Sequence, residues 1–542
     1  MRTMRLTHPA AKWFSWWRDL PTTSPRKAAL LSGTLLGLAF PPVSLPWLLW
    51  VAWPLLWNSR LRYRHLYGAL LLWNLIGCYW LLLTTLSAPD LQEGLLSLIA
   101  GAAAILTNPL LMLLPFWAWR TLSQRLGQPP SPWLFIPLWS LFEYLHFRWE
   151  LTWSWLTIGF AWSEWPFWGA IGRLLGPTGL STWTLIGIAL VSADFPFSAL
   201  RSRLVTALVW IVAPAMLAHL RTPPPIAAPA RTVWSLQPNV DPYAKFSELP
   251  PDSQVKRLER LLPPNPPAGS LIVGPETAIP LPVSLDHPRQ EPLLRSFWRY
   301  VDSHRVNLLL GVTGYRYFPP GSRLPASARA MPEGGGYELY NAALLLRPDT
   351  FFVHSKARLV PFVERAPYLE LFTFLHSWQI DLGGAFGHLG KPDTQYALPL
   401  YPDEVPVAVA VCYESIFAHD LRRRLPSKPA LLAILTNDGW WKKSSGYWQH
   451  YSYGRLVVQA LGVPAVRSAN TGVSACLTAD GHPLTALPYD TSGRITATLA
   501  PQTPTALYHR WGEGGLLLLG IFALAVWTLS LRYPRSSRLS TA

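Results

Sequence analysis

The sequence predicts two joined parts, a multi-pass α-helical membrane domain with about eight transmembrane helices and a layered α/β domain. Half of the 542 residues are hydrophobic, only 14% are charged, and 29 are tryptophan, which is typical of a membrane protein. Apolar segments follow one another from 28 to 220. Between 221 and 511 the pattern changes to short β-rich runs separated by polar or helical stretches.

The membrane part is predicted from segment length. A helix needs about 20 apolar residues to cross a bilayer. The predicted segments lie at 28–41, 45–58, 66–87, 94–119, 130–146, 168–192, 203–220 and 514–531. The first of them lacks an A-x-A-like site, so we expect no cleavable signal peptide.

The distribution of basic residues predicts the orientation of these helices. Lysine and arginine occupy every second connection, and cytoplasmic loops are the ones enriched in them. We therefore expect both termini in the cytoplasm and the long 221–511 piece on the far side of the membrane. The basic groups lie at 2–27, 60–64, 120–125, 201–203 and 532–538. The predicted units are a cytoplasmic segment 1–27, a membrane domain 28–220 with about seven helices, a domain 221–511, a last helix 512–531 and a cytoplasmic tail 532–542.

The net charge of +16 is spread in small groups between apolar runs, which favours a membrane partner over nucleic acid. The chain has no Walker-type loop, zinc-spaced set or basic-aromatic RNA motif. Its three cysteines are too few for a disulfide framework. Cys78 lies in an apolar run, which makes Cys412 and Cys476 the only plausible pair; the spacing leaves open whether they are bridged.

Six apolar runs in the far-side piece predict strands buried on both faces, as in an α/β sandwich. Proline-rich stretches at 223–229 and 263–267 mark an entry linker and a surface loop. The predicted strands lie at 232–238, 270–276, 306–315, 340–348, 405–414 and 430–438.

Three reactive residues stand at or just after predicted strand ends: Glu276, Lys356 and Cys412. A thiolate attacks acyl carbons, a carboxylate can move the proton, and a cation can stabilise an oxyanion. Taken singly, a cysteine in an apolar strand is more often inert packing, and a lone glutamate or lysine is usually solvated. Their joint occurrence favours a catalytic site.

The motifs GPETAIP, KARLVPFVERAP, VCYESIF and LTNDGWW, followed by WQHY and RSANTG, resemble the motif series of the nitrilase superfamily. With helices before and after this domain, the whole chain is similar to the membrane-embedded apolipoprotein N-acyltransferase family. The resemblance implies an α-β-β-α sandwich with a Glu276–Lys356–Cys412 triad. It also implies supporting roles for Glu364 and for the pair Tyr413 and Glu414.

The resemblance further implies a substrate pair and a place in the cell. An acyl chain passes from a phospholipid, expected to be phosphatidylethanolamine, through a thioester on Cys412 to the N-terminal amine of a diacylglyceryl-cysteine lipoprotein. The catalytic domain faces the periplasm from the bacterial inner membrane. No metal, organic cofactor or nucleic acid is expected.

Candidate substrate contacts are aromatic or apolar. The segment 367–380 is either an ordinary core helix or a lid that dips its side chains into the lipid interface, and the tryptophan-rich connection 146–166 invites the same interfacial interpretation. The candidates are Phe246, Leu371, Phe372, Phe374, Trp378 and Trp440.

Two other functions use the same residues differently. A membrane-bound nitrilase-like amidase or hydrolase would use the triad with water as acceptor. A non-catalytic envelope protein would bind lipoproteins through a degenerate domain of this kind. The intact glutamate, lysine and cysteine argue against the second.

Overall fold

The computed structural model describes residues 24–58, 60–87, 91–127, 129–191, 227–371, 388–392 and 395–513, with scattered positions between 205 and 218 and at 516, 521 and 525. Its N-terminal part is helical. Three helical stretches, Tyr63–Thr84, Gly94–Arg125 and Gly172–Val191, are long and apolar enough to cross a membrane. The α-helices of this part are α1 (Pro25–Leu38), α2 (Leu49–Leu56), α3 (Tyr63–Cys78), α4 (Leu91–Arg125), α5 (Pro132–His146), α6 (Pro166–Gly169) and α7 (Gly172–Val191).

The predicted number of eight crossings is met only in part by the described residues. The first, second and fifth predicted segments contain helices shorter than about 20 residues. The predicted segments 203–220 and 514–531 fall mostly outside the described residues. Among the described residues three helical stretches are thus long and apolar enough to cross a membrane, and the count of eight stays a prediction.

The C-terminal part is a sandwich of two sheets. Parallel pairing of β1, β2 and β4 forms the centre of the first sheet, and parallel pairing of β9, β10 and β11 the centre of the second. The strands are β1 (Arg231–Gln237), β2 (Leu271–Val273), β3 (Ile279–Ser284), β4 (Asn307–Phe318), β5 (Arg329–Ala330), β6 (Gly336–Arg347), β7 (Thr350–Ser355), β8 (Leu398–Leu400), β9 (Val405–Val411), β10 (Leu431–Thr436), β11 (Ala465–Ala469), β12 (Ser474–Leu477), β13 (Pro483–Leu487) and β14 (Gly493–Leu499). The helices are α8 (Ala244–Ser247), α9 (Pro251–Glu259), α10 (Arg295–His304), α11 (Ala418–Arg424), α12 (Ser445–Leu461) and α13 (Leu507–Trp511).

Each layer boundary of the sandwich has its own apolar core. Val273 and Leu309 of the first sheet meet Val409 and Leu435 of the second between the sheets. The outer face of the first sheet packs against α9 and α10. The outer face of the second sheet packs against α11 and α12. Because the inner strands are covered on both sides, they have the continuous apolar sequences from which they were predicted. The expected α-β-β-α layering is confirmed.

The tryptophan-rich connection 146–166 does not behave as an interfacial segment throughout. Trp155 and Trp162 are almost fully buried, and Phe160 stacks on Tyr453 of α12 with ring centroids 4.4 Å apart. The interfacial interpretation was therefore wrong for these rings, because α12 covers Trp155 and Phe160, and Trp47, Trp168 and Trp183 of the helical part surround Trp162.

Gln449 of α12 joins the two parts by polar contacts. Its amide nitrogen donates to the backbone oxygens of Pro41 and Gly77 at 2.8 and 2.9 Å. Its amide oxygen accepts from the indole nitrogens of Trp80 and Trp155 at 2.9 and 2.7 Å. The side chain is 1% exposed, so these four bonds use all its hydrogen-bonding capacity inside the protein. The helical part and the sandwich are therefore packed as one body at this point.

Candidate active site

Glu276 lies in the loop that follows β2 and is buried. Its Oε1 accepts a hydrogen bond from Asn341 Nδ2 at 2.7 Å and lies 3.4 Å from Lys356 Nζ. The loop passes directly over Gly311 of β4, where a β-carbon would stand 2.6 Å from the Glu276 Cα. Only glycine lets the backbone approach this closely, so β4 helps set the position of the carboxylate.

Lys356 follows β7 and is 1% exposed. Its Nζ donates to Glu364 Oε1 at 2.8 Å, and Asn341 Nδ2 bridges to the same oxygen at 2.9 Å. Burial alone would lower the pKa of Lys356, but the charges of Glu364 and Glu276 outweigh it and raise the pKa above its ordinary value. The lysine is therefore held as a cation between two carboxylates.

Cys412 is the residue directly after β9, and it begins a short 3-10 helix, Cys412–Ile416. Its φ is +51°, in the left-handed region that a side chain with a β-carbon rarely occupies. Such strain persists only where the surroundings enforce it, and it is common at functional sites. The turn presents a partly buried thiol at the end of an otherwise buried strand.

Two groups hold this turn from below. Glu414 Oε2 accepts from the Val411 backbone nitrogen at 3.0 Å, while Arg424 and His354 bind the same carboxylate at 2.8 and 3.1 Å. His450 Nε2 lies 3.1 Å from the Cys412 carbonyl oxygen. These bonds fix the backbone on both sides of the thiol.

The charges of the site act on the thiol directly. Burial raises the pKa of the Cys412 thiol and the negative charge of Glu276 raises it further, while Lys356 opposes them without overcoming them. The resting thiol is therefore protonated at neutral pH. Glu276 is the carboxylate with the largest effect on the thiol, and a carboxylate is a group that can take a thiol proton as the sulfur attacks.

Two family models match this chain, one over each of its two parts. The family model of the carbon-nitrogen hydrolases matches residues 224–508, more than half of the chain. The chain belongs to the carbon-nitrogen hydrolase family. The model of the apolipoprotein N-acyltransferase N-terminal domain matches residues 32–190, so the helical part has a family match of its own.

Curated relatives of this carbon-nitrogen hydrolase extend over both parts. "Apolipoprotein N-acyltransferase" of Chlorobaculum tepidum is 29% identical over 512 residues, which are 88% of this chain and 91% of that protein. Proteins of the same name from Haemophilus influenzae and Haemophilus ducreyi are 27% and 24% identical, covering 73% of this chain and 74% and 75% of theirs. The resemblance read from the motifs is confirmed.

The other predicted site residues fall in three groups. Glu364 contacts Lys356, and Glu414 supports the turn; Tyr413 donates through its hydroxyl to the Thr152 carbonyl oxygen at 3.2 Å, which ties the turn to the connection after α5. Leu371 is 75% exposed, and Trp440 packs edge-on against Tyr243 with centroids 5.0 Å apart. Phe246 belongs to α8, but its side chain lies outside the described residues, as do Phe372, Phe374 and Trp378.

Sequence reasoning missed several polar residues of the site. Asn341 stands out only as an amide within an apolar strand, YNAALLL. His450 and Asp438 lie in the motifs WQHY and LTNDGWW, and their side chains are 2.7 Å apart. Burial would raise the pKa of Asp438, but its pairing with Arg467 at 2.7 Å and its contacts with His450 and Thr436 together outweigh burial and lower that pKa. The motifs marked these residues without indicating what each one touches.

Within the ranges that the structure describes, no group of three or more histidine, cysteine, aspartate or glutamate side chains is arranged to hold a metal ion.

Alkylation should report the protonated state of the thiol. Because only the thiolate reacts and the pKa of Cys412 is raised, the rate of its modification by iodoacetamide should still climb about tenfold per pH unit between pH 7 and 9. Mass spectrometry of the Cys412 peptide measures that rate. A plateau already reached below pH 7 would show a preformed thiolate and contradict the prediction.

Lys245 is a second buried lysine beside the carboxylate. It is 3% exposed, and its Nζ donates to Thr277 Oγ1 at 2.9 Å, next to Glu276. Burial lowers the pKa of Lys245 to about 7, with Glu276 opposing the shift. Between pH 7 and about 10 the unfolded chain therefore binds a proton that the folded protein does not. The contribution of Lys245 to stability should rise with pH across that window.

The variant Lys245→Met tests this linkage. The melting temperature of Lys245→Met minus that of wild type should be larger at pH 7 than at pH 9.5, by roughly 1–2 °C for each kcal/mol of difference in stability. Lys256→Met, at an exposed lysine on α9, is the matched control and should show no such pH dependence. Equal pH dependence in both variants would show that Lys245 titrates normally.

Proposed function

We propose that this protein transfers an acyl chain from a phospholipid to the N-terminal amine of a diacylated lipoprotein, as an apolipoprotein N-acyltransferase. The observation that supports this best is the ammonium of Lys356 held between Glu276 and Glu364, beside a thiol on a left-handed turn. A carbon-nitrogen hydrolase domain supplies this chemistry, and the N-terminal family match adds the membrane part.

In the first step the Cys412 sulfur attacks the ester carbonyl carbon of the phospholipid, and Glu276 takes the thiol proton. Lys356 stabilises the negative charge that develops on the carbonyl oxygen. The carbon-oxygen bond of the ester then breaks, and Glu276 returns the proton to the leaving oxygen. The products are a thioester on Cys412 and a lysophospholipid.

In the second step the lipoprotein's amine attacks the thioester carbon. Glu276 accepts a proton from the nitrogen, and Lys356 again stabilises the oxyanion. Collapse of the intermediate breaks the carbon-sulfur bond, and the sulfur regains the proton from Glu276. An amide is formed, and the resting thiol is restored.

We also propose where each segment of the chain lies relative to the membrane. A segment 1–27 and a tail 532–542 lie in the cytoplasm, helices within 28–220 and 512–531 make eight crossings of the bacterial inner membrane, and the domain 221–511 faces the periplasm. The alternation of basic connections supports this orientation. Phosphatidylethanolamine is the proposed donor, and the proposed acceptor is a diacylated apolipoprotein.

Intact-mass spectrometry tests the reaction. Purified protein is incubated with phosphatidylethanolamine, and a diacylated lipopeptide is added afterwards. We expect a fatty-acyl mass increment on Cys412 that disappears as the peptide gains the same mass. An increment lost equally fast without peptide would indicate a hydrolase that uses water, and lipopeptide binding without any increment would indicate a binding protein.

A further inference from the structure

A cleft of about 110 Å³ lies between the connection that follows α5 and the loop that follows Lys356. The connection contributes Arg148, Glu150 and Thr152. Arg358, Arg365 and Lys391 line the opposite side. Four basic residues and one acidic residue thus line a space large enough for a small polar group.

The carboxylates that pair with the three arginines lie outside the lining. Arg148 binds Glu513, Arg365 binds Glu370, and Arg358 binds Asp420 through Nε at 2.5 Å. Lys391 pairs with Glu150, which does line the cleft. The residues that line the cleft therefore carry more positive than negative charges. The carboxylates outside the lining keep the guanidinium groups in place.

The cleft adjoins the catalytic residues by short chain links. Ala357, directly after Lys356, is part of its lining. Thr152, also in the lining, accepts the hydroxyl of Tyr413, the residue after Cys412. A molecule in the cleft would thus contact the residue that follows Lys356 and a residue that is bonded to the neighbour of Cys412. The wall that the connection forms begins at Arg148, two residues beyond the end of α5.

We propose that this cleft binds the headgroup of the acyl-donor phospholipid, with Arg358, Arg365 and Lys391 facing the phosphate and Glu150 facing a headgroup ammonium. A phosphate is recognised by guanidinium and ammonium groups together, and a zwitterionic headgroup also needs a carboxylate. The inference rests on the proposed function and deepens it, because it names the headgroup as the part of the donor that the protein recognises besides the reacting ester.

The test compares two donors with identical acyl chains, phosphatidylethanolamine and a diacylglycerol that lacks the headgroup, each in mixed detergent micelles. Single-turnover acylation of Cys412 is followed by intact-mass spectrometry. Wild type should be acylated faster by the phospholipid. Arg358→Gln should slow the phospholipid reaction about tenfold or more and leave the diacylglycerol reaction unchanged.

Two control variants separate recognition from folding. Arg347→Gln breaks a comparable arginine-carboxylate pair, with Glu404, on β6 away from the cleft, and should keep the donor preference. Asp420→Asn removes the carboxylate that holds Arg358 in place but keeps the cation, so it should reduce the donor preference less than Arg358→Gln does. An equal loss with both donors in Arg358→Gln, or no loss with either, would overturn the headgroup site.

Failure of the cleft and failure of the proposed function give different results. If wild type forms no acyl-enzyme with either donor, the acyltransfer itself fails. If wild type is acylated equally by both donors, only the headgroup site fails. Inorganic phosphate is added as a competitor in a third arm. It should slow the phospholipid reaction alone, and equal slowing of both reactions would point to a free-anion site instead.

Discussion

Replacing Cys412 by alanine is expected to remove both the acyl-enzyme and the transfer of an acyl chain to lipopeptide, lowering turnover by about 10³-fold or more. The reason is that no other described nucleophile stands at the end of β9 beside Glu276 and Lys356. Intact-mass spectrometry and lipopeptide acylation measure the two losses separately.

Cys476→Ala is the matched control for this prediction. Cys476 is also a free cysteine, but it is buried between the sheets on β12. Its replacement should leave acylation of the enzyme intact. Full activity of Cys412→Ala, or loss of the acyl mass in Cys476→Ala alone, would contradict the assignment of the nucleophile.

Lys356→Met should have the second-largest effect, because it removes activity and destabilises the sandwich. The change leaves Glu276 and Glu364 buried and close together with only the Asn341 amide between them. Breaking a buried ion pair by removing one partner costs about 3–5 kcal/mol. Denaturant or thermal unfolding of the detergent-solubilised protein measures the loss of stability. The acylation assay measures the loss of activity.

A double variant distinguishes the two effects of Lys356. Lys356→Met combined with Glu364→Gln removes one of the stranded charges, so part of the stability should return. Activity should not return, since the oxyanion still lacks its cation. Recovered activity in the double variant would show that Lys356 acts only by holding Glu364.

The sequence predicted the inner strands better than the outer ones, although it missed β11 at the centre of the second sheet. β1, β2, β4, β6, β9 and β10 are buried runs, and each was expected within a few residues of its observed bounds. β13 and β14 alternate between exposed and partly buried residues and lack a long apolar run. Their place in the sheets is set by antiparallel pairing with β12 and β1, which no local pattern reports.

The reactive residues of the site could be predicted from the sequence, but the residues that hold them in position could not. Motif resemblance named Glu276, Lys356 and Cys412 by position, and the structure brings the first two within 3.4 Å. The bridge made by Asn341, and the buried lysine Lys245, depend on which strands and loops face each other. The contact that joins the loop residues Glu276 and Glu364 through Asn341 of β6 leaves no regular spacing in the sequence.

The burial of Trp155 and Phe160 against α12 has a consequence for biogenesis. The sandwich does not cover the outer side of α12 on its own, because part of that cover is supplied by a stretch of chain that precedes the sandwich in the sequence. A secreted fragment containing only residues 227–513 would carry the apolar side of α12 uncovered and should aggregate. The sandwich and the helical part therefore depend on each other for the burial of this face, and the catalytic domain is not expected to be stable as a free enzyme.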